Sequence, residues 1–97
     1  MRRLIPVLFL FFSSAFADGL GQDEARELVR KGEILPLSEI LEMARDHYSG
    51  HLLEVELEYE KEHDGYVYKL EVLDGKGVVW ELEFNAVTGE LVERERD

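Results

Sequence analysis

Three stretches in the C-terminal part of the chain alternate apolar and polar residues with a period of two, the pattern of a β-strand with one buried face. The apolar members are Leu53, Val55, Leu57 and Tyr59 in the first stretch, Tyr66, Tyr68, Leu70 and Val72 in the second, and Val78, Trp80, Leu82 and Phe84 in the third. The turn residues Asp64-Gly65 and the segment 74–77 separate them, and connections this short join antiparallel neighbours. We therefore predict an antiparallel meander, with a short fourth strand over 90–93.

Two helices are predicted before the strands. Over 22–32, apolar residues recur at helical spacing, acidic residues occupy the first turn, and Gly32 suits the position after the helix end. After Pro36, Ser38 is the expected N-cap of a second helix, whose apolar residues continue to Tyr48 before Gly50 stops it. The predicted class is α+β, with two N-terminal helices packed on one face of a three- to four-stranded antiparallel β-meander.

The loop lengths predict the register of the sheet, because a slip by one residue would turn every apolar side chain to the wrong face. A four-residue loop over 62–65 pairs Glu58 with Lys69, and a three-residue loop over 74–76 pairs Lys69 with Glu81. Lys69 is therefore expected to lie between two glutamates.

The sheet face opposite the core is predicted to be strongly acidic. Its glutamates are Glu54, Glu56, Glu58, Glu60, Glu71, Glu81 and Glu83. The simplest interpretation is a solvated face, since antiparallel sheets commonly leave one side in water, and exposed strand glutamates would keep ordinary pKa values. Facing like charges such as Glu56 and Glu71 cost a few tenths of a kcal/mol or more, which leaves room for a function. These seven residues are the candidate partner-binding face, suited to a basic protein surface or to loosely held cations.

The N-terminus has the pattern of a secretory signal peptide: the positive segment MRR, an apolar run, and small residues at Ala15 and Ala17. We predict cleavage after Ala17, a single domain over 18–97, a periplasmic location and no stable membrane insertion after cleavage. The apolar run Leu4–Phe12 has nine residues, against the roughly 20 that cross a bilayer. An uncleaved anchor is the alternative.

Charge and cysteine content narrow the class of function. Loss of Arg2 and Arg3 with the signal peptide leaves nine basic and 22 acidic residues, a formal charge of −13. Nucleic acid is excluded as a partner, because phosphate binding requires a basic patch. The chain has no cysteine, so an exported domain of this size must be stable without disulfides.

The sequence offers no convincing catalytic set. Ser38 and Ser49 have no convincing base, because no third group at an informative spacing orients His47, His51 or His63, and a cysteine nucleophile is absent. His47 and His51 lie four residues apart, as metal-binding helical histidines can, but Gly50 is expected to break the helix between them. We therefore predict no enzyme, no catalytic residue, no specific metal site and no cofactor.

Four stretches together resemble the PepSY domain family: GEILPLSEIL (32–41), LLEVELE after Gly50, YVYKLEV (66–72) and ELEFNAVTGEL (81–91). The resemblance implies helices packed on an antiparallel sheet and no catalytic set. PepSY domains occur in propeptides of thermolysin-like metallopeptidases, where an inhibitory role is proposed, and in bacterial membrane or signalling proteins. Two positions depart from the family pattern, namely Asn85, where Asp is often found, and Lys69, where an acidic residue is frequent.

The resemblance and the charge together predict an exported, non-enzymatic binding module that modulates or inhibits a peptidase or another periplasmic protein. The alternative is an accessory sensory module of a bacterial signalling system, which binds a cation or a sensor protein through its acidic face.

Overall fold

The computed structural model describes residues 20–97. The predicted signal peptide and its cleavage position lie outside this range. The described elements are the helices α1 (Gln22–Arg30) and α2 (Leu37–Ala44), the strands β1 (Gly50–Glu60), β2 (Gly65–Asp74), β3 (Val79–Asn85) and β4 (Leu91–Arg96), and a 3-10 turn (Lys61–His63) between β1 and β2. The strands form one antiparallel sheet in the order β1-β2-β3-β4. The predicted α+β class is confirmed, with four strands.

Helix α1 lies where the sequence indicates, whereas both ends of α2 differ from the prediction. Gly32 follows α1 with a φ of 76°, in the left-handed region that glycine adopts without a steric cost. The N-cap of α2 is Pro36 rather than the predicted Ser38, because the Pro36 carbonyl already accepts the amide of Ile40. The same helix ends at Ala44, earlier than predicted. After that residue the chain tightens into bonds between residues three apart, such as the amide of His47 with the carbonyl of Ala44.

The core lies between the two helices and one face of the sheet. Its buried members are Ile34, Ile40, Ala44, Leu57, Tyr68, Leu70, Val72, Leu82, Phe84 and Ala86. Burial of each large apolar side chain contributes about 1.5–3 kcal/mol to stability. The Tyr68 hydroxyl donates a 2.8 Å hydrogen bond to the carbonyl of Leu35, so the buried phenol is paired and the segment between the helices is held against the sheet.

The register differs from the prediction by two residues in both hairpins. Lys69 pairs with Glu56 and Glu83, not with Glu58 and Glu81. In the second hairpin, the Asp74 carboxylate accepts the amides of Lys76 and Val78, which holds the loop one residue further along than loop length alone predicts. A shift of two keeps every residue on its predicted face, so the acidic face forms, but Glu54 rather than Glu56 lies opposite Glu71.

Two irregularities also escaped the sequence pattern. The register shifts between Leu52 and Glu54, and Leu52 packs against the core where Leu53 was predicted. Strand β4 extends to Arg96, beyond the predicted end at position 93, and so adds Glu95 to the sheet. Within residues 20–97, no helix is long and apolar enough to cross a bilayer.

Candidate functional site

The acidic face contains two neighbouring rows of directly paired residues that cross all four strands, with Glu58 and Glu60 of β1 beyond them. In the first, the glutamate row, each residue is acidic; its members in order are Glu54, Glu71, Glu81 and Glu95. In the second, the lysine row, one position is basic; its members are Glu56, Lys69, Glu83 and Glu93. The seven predicted glutamates are therefore brought onto one face, joined by Glu93 and Glu95 from β4.

This face is less solvated than predicted. Glu83 is only 6% exposed, and the side chains of Glu58 and Glu60 are 15% and 16% exposed. The long side chains lie beside one another, and the turn between β1 and β2 places His63 against their ends. The prediction of a fully solvated face is thus wrong at this end of the sheet.

Lys69 occupies the centre of the face. Its Nζ atom lies 3.5 Å from Glu58, 3.9 Å from both Glu60 and Glu83, and 4.0 Å from Glu81. Burial lowers the pKa of Lys69, but the surrounding carboxylates outweigh burial and the net pKa is raised. The lysine therefore stays charged and offsets part of the repulsion among the glutamates. It contacts Glu58 and Glu81 as predicted, although as diagonal neighbours.

The pKa values of Glu56, Glu71 and Glu83 are raised to about 7, contrary to the expectation of ordinary values. Burial is the main cause in each. The next causes are the neighbouring Glu58 for Glu56, and the Asp97 carboxyl for Glu71. For Glu83 the next cause is the negative charge of Glu60. The face consequently holds protons near neutral pH.

His63 forms a second cluster at the end of the face and shares Glu60 and Glu83 with the group around Lys69. Its Nε2 atom lies 3.7 Å from Oε1 of Glu60, 3.6 Å from Oε1 of Glu83 and 3.5 Å from Oε1 of Glu93. Asp64 follows with a φ of 57°, a left-handed conformation that aspartate tolerates and that returns the chain into β2. Sequence reasoning missed this cluster because His63 lies in a predicted loop. The available signal was its position three residues after Glu60, at a strand end.

A family model described as "Peptidase propeptide and YPEB domain" (PepSY) matches residues 34–95. The chain belongs to the PepSY family. No curated protein and no solved structure matched it. The PepSY match includes α2, strands β1 to β3 and most of β4, and so contains the acidic face and His63, whereas α1 lies outside it.

PepSY domains are generally non-catalytic propeptide or regulatory modules. In this domain His47 and Ser49 line one pocket, whose lining includes neither Ser38 nor His51. His47 follows α2, with its ring centroid 5.6 Å from that of Phe84, while His51 is an exposed residue of β1. Neither belongs to the group of metal-capable side chains found within residues 20–97, which comprises Glu60, His63 and Glu83.

A second surface of this PepSY domain is apolar. A cleft of about 350 Å³ lies between α1 and the sheet. Its lining includes Ala25, Val29, Leu37 and Val55. This cleft is the main alternative to the acidic face as a place for a protein partner. Its lining is mostly apolar, with Arg26 and Glu56 as its charged members.

Proposed function

We propose that this PepSY domain is an exported, non-enzymatic module that binds a periplasmic protein, a peptidase in the first instance, and modulates or inhibits it. Membership of the family supports a role beside a peptidase. PepSY domains are typically extracellular or periplasmic, which agrees with the signal peptide predicted from the sequence.

The observation that carries the binding role is the glutamate row. Glu54 faces Glu71, Glu71 faces Glu81, and Glu81 faces Glu95. Directly opposed like charges destabilise a sheet, so an isolated domain gains nothing in stability from this arrangement. A partner with lysine or arginine side chains would relieve the repulsion, as Lys69 does in the adjacent row.

The end of the face around Glu54, Glu56, Glu71 and Glu81 is the more accessible part. These residues and Lys69 line a shallow depression, and each is only partly buried. A basic protein surface would be steered towards this field, so its association rate should fall steeply as salt is added. Binding to the apolar cleft would show little salt dependence.

The test uses the exported protein as bait in a periplasmic extract, followed by a peptidase assay on what is captured. The replacement Glu54→Gln/Glu71→Gln/Glu81→Gln removes carboxylates from the glutamate row while keeping side-chain shape. The matched control Glu33→Gln/Glu39→Gln/Glu42→Gln changes exposed residues on the helical side of the domain. Capture that depends on the first set and not on the second supports the acidic face as the site.

The second candidate function is an accessory sensory module that binds a cation or a sensor protein. The cluster of Glu60, His63 and Glu83 favours it. The two functions are separated by the nature of the captured protein, since a peptidase supports the first and the periplasmic domain of a sensor kinase supports the second.

A further inference from the structure

We propose that Glu60, His63 and Glu83 form a binding site for one divalent transition-metal ion, with Zn²⁺ as the best match to the ligands. The site does not depend on the identity of the protein partner, because it lies at the His63 end of the face and none of its three ligands lines the depression described above.

The spacing of the three ligand atoms fits one ion. Zn–N and Zn–O bonds of about 2.0–2.2 Å place neighbouring ligands of a tetrahedral ion about 3.3–3.6 Å apart. The Nε2 atom of His63 lies 3.7 Å from Oε1 of Glu60 and 3.6 Å from Oε1 of Glu83. All three ligand atoms lie within 4.8 Å of one another. Only small side-chain movements would bring them to metal-bond geometry.

Two of these atoms are buried without a hydrogen-bond partner. Among residues 20–97, the buried side-chain polar atoms in this condition are Nε2 of His63 and Oε1 of Glu83. The Glu83 side chain is 7% exposed, so this carboxylate oxygen is removed from water and directed at the imidazole. Leaving a buried polar atom without a hydrogen-bond partner is unfavourable, because the atom has lost its contacts with water and gained none in return. The two atoms lie 3.6 Å apart, too far for a hydrogen bond between them. A cation bound between them would interact with both.

Lys69 orients the two carboxylates for this role. In both Glu60 and Glu83, the Oε1 atom faces His63 and the Oε2 atom lies 3.9 Å from the Lys69 Nζ atom. Outer contacts of this kind fix the direction in which a ligand presents its free oxygen. The Glu93 carboxylate lies 3.5 Å from the same imidazole nitrogen and is 46% exposed; it is not part of the three-residue group and contributes negative charge beside it.

The donor set selects the class of metal. One imidazole nitrogen with carboxylate oxygens suits Zn²⁺ and related transition ions, whereas Mg²⁺ and Ca²⁺ prefer oxygen ligands alone. The local charge also favours a cation. Five carboxylates lie within 4.0 Å of the Lys69 or His63 side chain, and Lys69 is the one lysine in this group; the carboxylates are those of Glu58, Glu60, Glu81, Glu83 and Glu93.

The test is calorimetric titration of ZnCl₂ into the exported protein after removal of metal with a chelator, at about 0.15 M salt to screen the general acidic field. We expect one Zn²⁺ per chain. The variants His63→Gln and Glu83→Gln should each weaken binding at least about tenfold. The control His51→Gln, which replaces an exposed histidine of β1, should leave it unchanged.

Two readouts make the result decisive. In histidine NMR spectra, Zn²⁺ should shift the ring signals of His63 and leave those of His47 and His51 in place. Circular dichroism checks that each variant is folded; if His63→Gln does not fold, Glu83→Gln, which preserves shape, decides. The proposal is overturned if the wild type binds no Zn²⁺ at micromolar concentration, if both variants bind as well as the wild type, or if Mg²⁺ at the same concentration competes equally.

Discussion

Glu54 lies directly opposite Glu71 in the pairing of β1 with β2. Two like charges in directly opposed positions destabilise a sheet. The same pairing of glutamates continues from Glu71 through Glu81 to Glu95 in the edge strand β4. The neighbouring row contains the lysine that the first row lacks. The acidic face is therefore uneven: the lysine row contains Lys69 itself, whereas the glutamate row contains no cation and receives only the 4.0 Å contact of Lys69 with Glu81.

The role of Lys69 can be measured by removing its charge. The variant Lys69→Gln should lower the free energy of unfolding by about 1–2 kcal/mol, since four carboxylates at 3.5–4.0 Å lose their shared partner. Urea unfolding at low salt measures the loss, and added salt should recover part of it. Lys76→Gln in the exposed turn is the control. Equal midpoints for both variants would contradict the central position of Lys69.

The free energy of unfolding should fall as the pH is raised from 5 to 8. Glu56 and Glu71 have folded-state pKa values of about 7, above the ordinary 4.5. A carboxyl with a raised folded pKa binds more protons when folded, so its contribution is complete below the unfolded pKa and is lost as pH rises through the folded one. We expect a loss on the order of 1 kcal/mol for each group after allowance for solvent screening.

Urea midpoints at pH 5, 6, 7 and 8 measure this dependence. The double variant Glu56→Gln/Glu71→Gln should flatten the profile, because glutamine resembles the protonated acid, and should be more stable than the wild type at pH 8. A wild-type midpoint as high at pH 8 as at pH 5 would show that these carboxyls are not crowded.

Gly50 provides a test of the start of the sheet. It has a φ of 135°, and a Cβ atom there would lie 2.0 Å from the backbone oxygen of Leu73. The variant Gly50→Ala should therefore lower the free energy of unfolding by about 2–4 kcal/mol. Gly75→Ala is the matched control, because a Cβ at Gly75 meets nothing within 4 Å. Similar thermal midpoints for the two variants would contradict this close approach of β1 and β2.

The fold was predictable from sequence because alternation and helical spacing report burial directly. They place Leu70 and Phe84 in the core and the glutamates on the opposite face, and the structure agrees. The register of the sheet was harder to predict from the sequence. The second hairpin turn is fixed by hydrogen bonds to the Asp74 side chain, which loop length does not report. A shift of two residues leaves the pattern of apolar and polar faces unchanged, so patterning alone cannot detect it.

The site was predictable only as a set of residues on one face. Its solvation and pKa values depend on how closely long side chains crowd one another, which spacing along a strand does not report. The position of His63 depends on a 3-10 turn that directs it back over the sheet. The sequence pointed to His47 and His51 by their spacing of four, with Gly50 expected to break the helix between them; the helix in fact ends earlier, at Ala44.

Recognition through the acidic face should depend on charge and on position. With a purified partner, Glu54→Gln/Glu71→Gln/Glu81→Gln should slow association at least about tenfold at low salt, where steering is strongest. The control Glu33→Gln/Glu39→Gln/Glu42→Gln should have a much smaller effect. Stopped-flow or surface-based kinetics at several salt concentrations measure both. If the two variants behave alike, recognition would instead use another surface, with the apolar cleft beside α1 as the first to examine.

The most direct test of the proposed function is the rate of peptide hydrolysis by the captured peptidase, measured with increasing amounts of the exported protein. The domain should change this rate in a saturable manner, lowering it if the action is inhibitory, and the glutamate-row variant should require a higher concentration for the same effect. The account is contradicted if the captured partner has no peptidase activity, or if its rate of hydrolysis is unchanged at a saturating concentration of the folded domain.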